Sequence, residues 1–343
     1  MANWACHVRV AAPALAAWFC ACASLAVGNP IPDSERWATI THPGNVPYVF
    51  TPPGEAERAV GRVDYAFEIS RTEVTGEEWF EFVLAYAPFV HADYARSSEF
   101  TSLYIHDRDS ASGITYELVV GGENRAVEVG WRFAARYVNW LHNGKALTQQ
   151  AFENGVYDTS TFGGSGSEGY TDQLYRAPDA RYWLPSRDEW TKAVYFDPDR
   201  FGLGQPGYWL YPHASDSPPI PGVPGVGETS AGMSWFGMAE PEVAAYLDVQ
   251  SPWGLWDGSG GVREWSGDPI LDSITSQQLG RWTMTTRAGS TFHAIRDMIG
   301  SGGGSFPFAN QGVRIARAIP EPASIVSITT LLWVSIARRR RLK

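Results

Sequence analysis

Beyond residue 22 this chain has no cysteine. Cys6, Cys20 and Cys22 are the only three among 343 residues. The body can therefore form no disulfide and offers no thiolate as nucleophile or metal ligand. Lysine is almost as scarce, with Lys145 and Lys192 the only two ahead of the extreme C-terminus. Positive charge is short altogether: setting aside Arg9 and the five cations between Arg338 and Lys343 leaves 21 basic against 37 acidic groups, a net −16. Such a body repels nucleic acid and anionic lipid and suits a surface that meets cations. No apolar run reaches the ~20 residues of an ordinary membrane-spanning helix, and no internal repeat divides the chain. What is abundant is tryptophan (15), glycine (35) and proline (23). That mixture predicts one domain with much irregular coil, held by buried indoles.

The two ends read as signals. Arg9 precedes an alanine-rich apolar stretch from Val10 to Val27, and Ser24-Leu25-Ala26 fits a small-residue cleavage site, so residues 1–26 are expected to be an export signal. At the other end Pro320-Glu321-Pro322 leads into an apolar run from Ala323 to Ala337 and then Arg338 to Arg341. Fifteen helical residues span about 22 Å, short of a ~30 Å hydrocarbon core, which suits a transient anchor with its cationic tail in the cytoplasm. The order of these features resembles the bacterial PEP-CTERM sorting signal over residues 320–343. The resemblance implies handling by an exosortase and an exported, cell-surface location.

Between the signals, residues 27–62 are rich in proline and glycine and read as an irregular lead-in. Val63 to Ile69 alternates apolar and polar residues and predicts a strand. Thr75 and Glu78 form a capping-box pattern ahead of Trp79, Phe82, Val83 and Tyr86 at helical spacing. Ile114 to Val120 reads as a strand, and His106-Asp107-Arg108-Asp109 as a solvated loop without the spacing of an EF-hand. Trp131 to Leu141 predicts a second amphipathic helix stopped by Asn143-Gly144. Phe162 to Ser167 is expected to be a flexible loop, and Ser186 with Glu189 a second capping box. Irregular coil follows to Gln250, then strands at Arg281–Thr286 and Gly312–Ala318 around a mobile Gly300–Gly304 loop.

The most informative stretch runs from Trp253 to Trp265. Three tryptophans and Leu255 flank small residues, and Glu264 lies between Arg263 and the last indole. Glycines let the backbone turn back closely on itself, so the carboxylate could face a hard cation together with nearby carbonyls.

Six segments in order resemble the formylglycine-generating enzyme (sulfatase-modifying factor) domain: Glu73-Val74-Thr75, Val129 to Tyr137, Trp183 to Trp190, Gly254 to Trp265, Arg287 to Ser290, and Gly312-Val313-Arg314. The resemblance spans 63–318 and implies a single α+β, C-type-lectin-like domain. It implies a calcium-binding turn with Glu264 and the carbonyls of Gly260 and Val262 as ligands; the alternative is that Glu264 pairs with a buried arginine such as Arg314. The family's enzymes oxidise a sulfatase cysteine through two copper-binding cysteines, and His293 and Met298 stand at those positions here. Histidine and methionine can bind copper, which would permit a repurposed oxidoreductase site at His293, but neither forms the thiolate of the known chemistry. The resemblance thus points to a non-catalytic module with a ligand groove at Trp265, Arg287, Ser290 and His293, where indole and guanidinium would suit a glycan or matrix ligand.

Overall fold

A computed structural model describes residues 35–51, 56–165, 168–231, 233, 241–284 and 311–320. Its first sheet joins segments that are remote in the chain. Trp37–Ile40 pairs with Phe67–Ser70, which pairs with Ala316–Arg317, which pairs in turn with Tyr182–Trp183, all antiparallel. A second four-stranded sheet runs Glu264–Leu271, Gln278–Met284, Gly169–Tyr170, Gly164–Ser165. Short hairpins at 48–50/58–60, 105–110/113–118 and 196–197/207–208 complete the strands.

Three helices supply most of the apolar packing. Gly76–Tyr86 starts at Thr75, whose N–H donates to Glu78 Oε2 (3.0 Å) while its Oγ1 accepts from the Glu78 N–H (3.4 Å). Trp79, Phe82, Val83 and Tyr86 then fall on one buried face. Trp131–His142 presents Trp131, Ala134, Ala135 and Val138 inward and ends before Gly144, which has φ +67°. The two meet through aromatic rings, with Phe82 at 4.8 Å from Trp79, 5.5 Å from Tyr137 and 5.9 Å from Trp140. Burying rings of this size contributes several kcal/mol in all and replaces the absent disulfides as the source of rigidity. The third helix, Arg187–Tyr195, is capped reciprocally by Ser186 and Glu189 as expected.

Several expectations are corrected. The lead-in is not uniformly irregular: Trp37–Ile40 is an edge strand of the first sheet, and the 48–50/58–60 hairpin follows it. Its alternation of Ala38 and Ile40 inward is too short to stand out among the prolines. The strand predicted from Val63 begins only at Phe67. His106–Asp109 belongs to strand Ile105–Ser110, since its backbone pairs with Gly113–Leu118, although its side chains are largely in solvent as expected. Gly164–Ser165, placed in a loop, pairs with Gly169–Tyr170. Glu264–Leu271 is a strand the sequence did not suggest, because Gly267 and Pro269 break its pattern at a register shift. The strand expected from Arg281 starts at Gln278, and that expected over Gly312–Ala318 shrinks to Ala316–Arg317. The Gly300–Gly304 loop and both terminal signals lie outside the described residues. Among the described residues no helix is long and apolar enough to cross a membrane.

Candidate functional site: an acidic turn held by Arg314

The Trp253–Trp265 stretch is a turn tied down at every step. Ser251 Oγ accepts from the Leu255 N–H (3.1 Å) and donates to Ala193 O (3.0 Å), fixing the entry to the turn on the third helix. Arg71 Nη1 donates to the carbonyls of Trp253 (3.0 Å) and Gly254 (2.7 Å). Asp257 follows in the left-handed region (φ +59°), and its Oδ2 accepts from the Ala244 N–H (2.7 Å). At Gly260 (φ +84°) an added Cβ would sit 2.4 Å from Ser230 Oγ, so only glycine fits. The Gly261 N–H donates to that same Ser230 Oγ (2.8 Å).

The turn delivers Glu264 to the centre of the molecule, fully buried. Arg314 Nε lies 3.0 and 2.9 Å from its two carboxylate oxygens, and Nη2 donates to Oε1 at 2.8 Å. Trp190 Nε1 donates to Oε2 at 2.6 Å. The remaining Arg314 donors go to Ser70 O (2.9 Å) and Trp256 O (3.1 Å). Glu264 thus takes the arginine partner that was the alternative to calcium. One ion pair therefore joins the turn, the first sheet and the third helix.

Two further acids were not singled out from the sequence. Glu73 is 1% exposed, with Oε2 3.6 Å from Arg314 Nη2 and no hydrogen-bond partner for that oxygen among the described residues. Asp257 lines the same cleft, along with Ser230, Tyr246 and Gly261. Three carboxylates thus face one guanidinium. Burial pushes the Glu73 carboxyl well above its ordinary range; neighbouring Asp257 adds to the shift and Arg314 opposes it. Burial also raises Asp257, against the pull of the Ala244 N–H. For Arg314 the desolvation that would lower its pKa is outweighed by Glu264 and Glu73. The arginine stays charged and balances Glu264, while the shifts on Glu73 and Asp257 favour their protonated, neutral forms.

A hard cation bound here would have to displace those protons. Glu73 has an unpartnered buried oxygen, and the carbonyls of Gly260 and Val262 accept no hydrogen bond from a described residue. Among the described residues no three His, Asp or Glu side chains converge on a metal position. A cation here would therefore rest on two carboxylates and backbone carbonyls, an oxygen set that suits calcium.

With this geometry in place, a family model described as "Sulfatase-modifying factor enzyme 1-like domain" matches residues 38–319. The chain belongs to that family. It has the mixed α/β, C-type-lectin-like single domain that the motifs implied. Two solved structures are similar to it. "Crystal Structure of CarF" has 16% identity, a TM-score of 0.47, and covers 83% of this chain and 98% of its own. "Treponema denticola variable protein 1" has 16% identity, a TM-score of 0.48, and covers 82% and 95%. No functionally curated protein matches.

The structure divides the sulfatase-modifying-factor residues chosen from sequence. Of Gly260, Val262 and Glu264, expected as cation ligands, Glu264 has both carboxylate oxygens taken by Arg314 and Trp190. Trp265 is corrected: it is 1% exposed, and its Nε1 donates to Val129 O at 2.8 Å, so it packs the core and has no face for a ligand. Arg287, Ser290, His293 and Met298 lie outside the described residues. Glu73 stood in a quoted motif, yet nothing local marks a glutamate beside Val74 as a partner of residues more than 180 positions away. It lies in the buried connection between strand Phe67–Ser70 and the first helix, where sequence gives no signal of its partners.

Proposed function

We propose that this protein is an exported, surface-sorted binding module in which the sulfatase-modifying fold has given up catalysis. The observation that carries this reading is the sequence itself: no cysteine follows Cys22. The two thiolates that the family's oxidation chemistry requires have no counterpart in the body, and neither histidine nor methionine replaces a thiolate. The PEP-CTERM-like tail and alanine-rich leader support exosortase sorting to the cell surface, anchored through residues 320–343 before processing. A glycan or extracellular matrix component is the ligand class that this location favours.

The acidic turn serves this module as a structural cation site. Calcium would be held by Glu73 and Asp257 with the carbonyls of Gly260 and Val262, while Arg314 neutralises Glu264. When bound, the ion supplies positive charge in place of the protons on Glu73 and Asp257.

Two measurements test the reading. Arrays of glycans and matrix proteins probed with the full chain should give a saturable hit, and blank arrays would sink the binding role. In thermal melts with calcium and with chelator, an ion present at a hundredfold its Kd contributes about 2.7 kcal/mol, or roughly 5–10 °C for a domain of this size. Glu73→Gln should abolish that response. A melting temperature indifferent to chelator would remove calcium from the account.

A further inference from the structure

His142, the last residue of the second helix, takes no part in the acidic turn. Its Nδ1 accepts from the Arg181 N–H at 3.0 Å, just ahead of strand Tyr182–Trp183. The carbonyl of the same Arg181 accepts from the Ala318 N–H, also at 3.0 Å. Among the described residues that is the last backbone bond before Pro320. Arg181 thus joins the helix end to the last described strand through its own two backbone groups. The ring is seated closely: a Cβ added to Gly155 would lie 2.9 Å from His142 Cδ2. A backbone N–H can only donate, so Nδ1 keeps its lone pair and the ring proton sits on Nε2. Protonation of Nδ1 would set two N–H groups against each other and abolish the bond.

We propose that His142 is an acid-opened latch on the root of the C-terminal segment, Ala318–Pro320. In its neutral form the ring holds Arg181, and Arg181 holds Ala318. In acid the imidazolium releases the Arg181 N–H, and the strand end at Ala318 frays. Two charged groups face the ring: Arg181 repels the imidazolium and Asp179 attracts it. From the 149–155 segment Gly155 meets the ring, while Glu153 is turned to Tyr86 and Arg136. The carbonyl end of its own helix favours the cation. Partial burial and Arg181 prevail, so the latched ring titrates below a free histidine. The open form therefore binds the proton more tightly. The latch is complete above about pH 6.5 and is lost as pH falls through the lowered value. How firmly this root is held does not depend on what residues 320–343 are for.

Amide exchange of the full chain, followed by residue from about pH 7.5 to about pH 5 and normalised to intrinsic rates, tests the latch. Protection at Arg181 and Ala318 should fall together by about tenfold, the worth of one hydrogen bond. The Val156 amide, bonded to Asn139 Oδ1 on the same helix, should keep its protection. His142→Asn places an amide oxygen near the position of Nδ1, an acceptor that does not titrate. In that variant Arg181 and Ala318 should stay protected across the whole range. His142→Phe should leave both amides poorly protected already at the upper end. Constant protection in the unaltered chain, a loss confined to Arg181, or an acid loss that survives His142→Asn would overturn the proposal. Imidazole nitrogen shifts of the unaltered chain should show a bare Nδ1 at the upper end, and a proton found there would overturn it too.

Discussion

At the scale of single residues, Arg314 carries the greatest consequence. Among the described residues it is the guanidinium set against Glu264, Glu73 and Asp257, and each of its three nitrogens donates a hydrogen bond. Removing it strands a fully buried carboxylate, a loss of about 3–5 kcal/mol. Arg314→Met should show that loss in urea denaturation, and Arg314→Met/Glu264→Gln should recover part of it. A double variant no better than the single would mean that the arginine acts by packing alone. Lys192 gives a pH signature. Its ammonium is buried against His42 O (2.8 Å) with no carboxylate in contact, and burial pushes its pKa down to about 8. The unfolded chain holds that proton up to the ordinary lysine range near 10.5. Between about pH 8 and 10 the unfolded state therefore binds more protons, and this residue's contribution to stability rises with pH. Lys192→Met should remove that rise, at most ~1.4 kcal/mol per pH unit, while below pH 8 the difference between the two proteins should stay flat. Parallel stability curves across pH 8–10 would refute the assignment.

At the scale of elements, the helices were legible and the strands largely were not. Thr75 with Glu78 and Ser186 with Glu189 declare helix starts within four residues, and the apolar spacing that follows needs no partner to be read. The strands of the first sheet are two to four residues long, too short for alternation to be distinctive, and exist because other segments pair with them. Glu264–Leu271 shows the same in a longer strand, since Pro269 and Gly267 would argue against it anywhere but at an irregular register. One element depends on a single polar core residue. Asn139, fully buried on the second helix, donates to Phe152 O (2.9 Å) and Tyr157 O (2.8 Å) and accepts from the N–H groups of Val156 and Tyr157. It thereby pins the 149–157 segment to the helix. Asn139→Leu should strand four backbone groups and lower stability by several kcal/mol, with protease cleavage appearing first within 149–162. Cleavage distributed evenly along the chain would count against that local role.

At the scale of the whole molecule, the first sheet closes the domain by joining its earliest and latest described strands across Phe67–Ser70. Arg317 reinforces that closure, stacking 4.0 Å from the Trp37 ring centroid and pairing with Glu68 (2.6 Å). Contacts so remote in sequence are expected to form and break together. In native-state hydrogen exchange the amides of Trp37–Ile40, Phe67–Ser70 and Ala316–Arg317 should therefore open with one common free energy. An N-terminal strand that exchanges far sooner than the other two would show that it is only appended.

The sequence by itself determined the family, the three main helices and the lack of cysteine beyond residue 22. Each of these depends on residue identity and local spacing, which are complete in the chain. It also placed Gly260, Val262 and Glu264 on one turn, because glycine tolerance of positive φ is a local property. Only the tertiary structure decided what that turn does. It turned Glu264 onto Arg314, 50 residues away, brought in Glu73 from the connection ahead of the first helix, and sank Trp265 into the core. The physical reason is that a carboxylate's role depends on which charges share its low-dielectric surroundings, and those neighbours are chosen by packing across the fold.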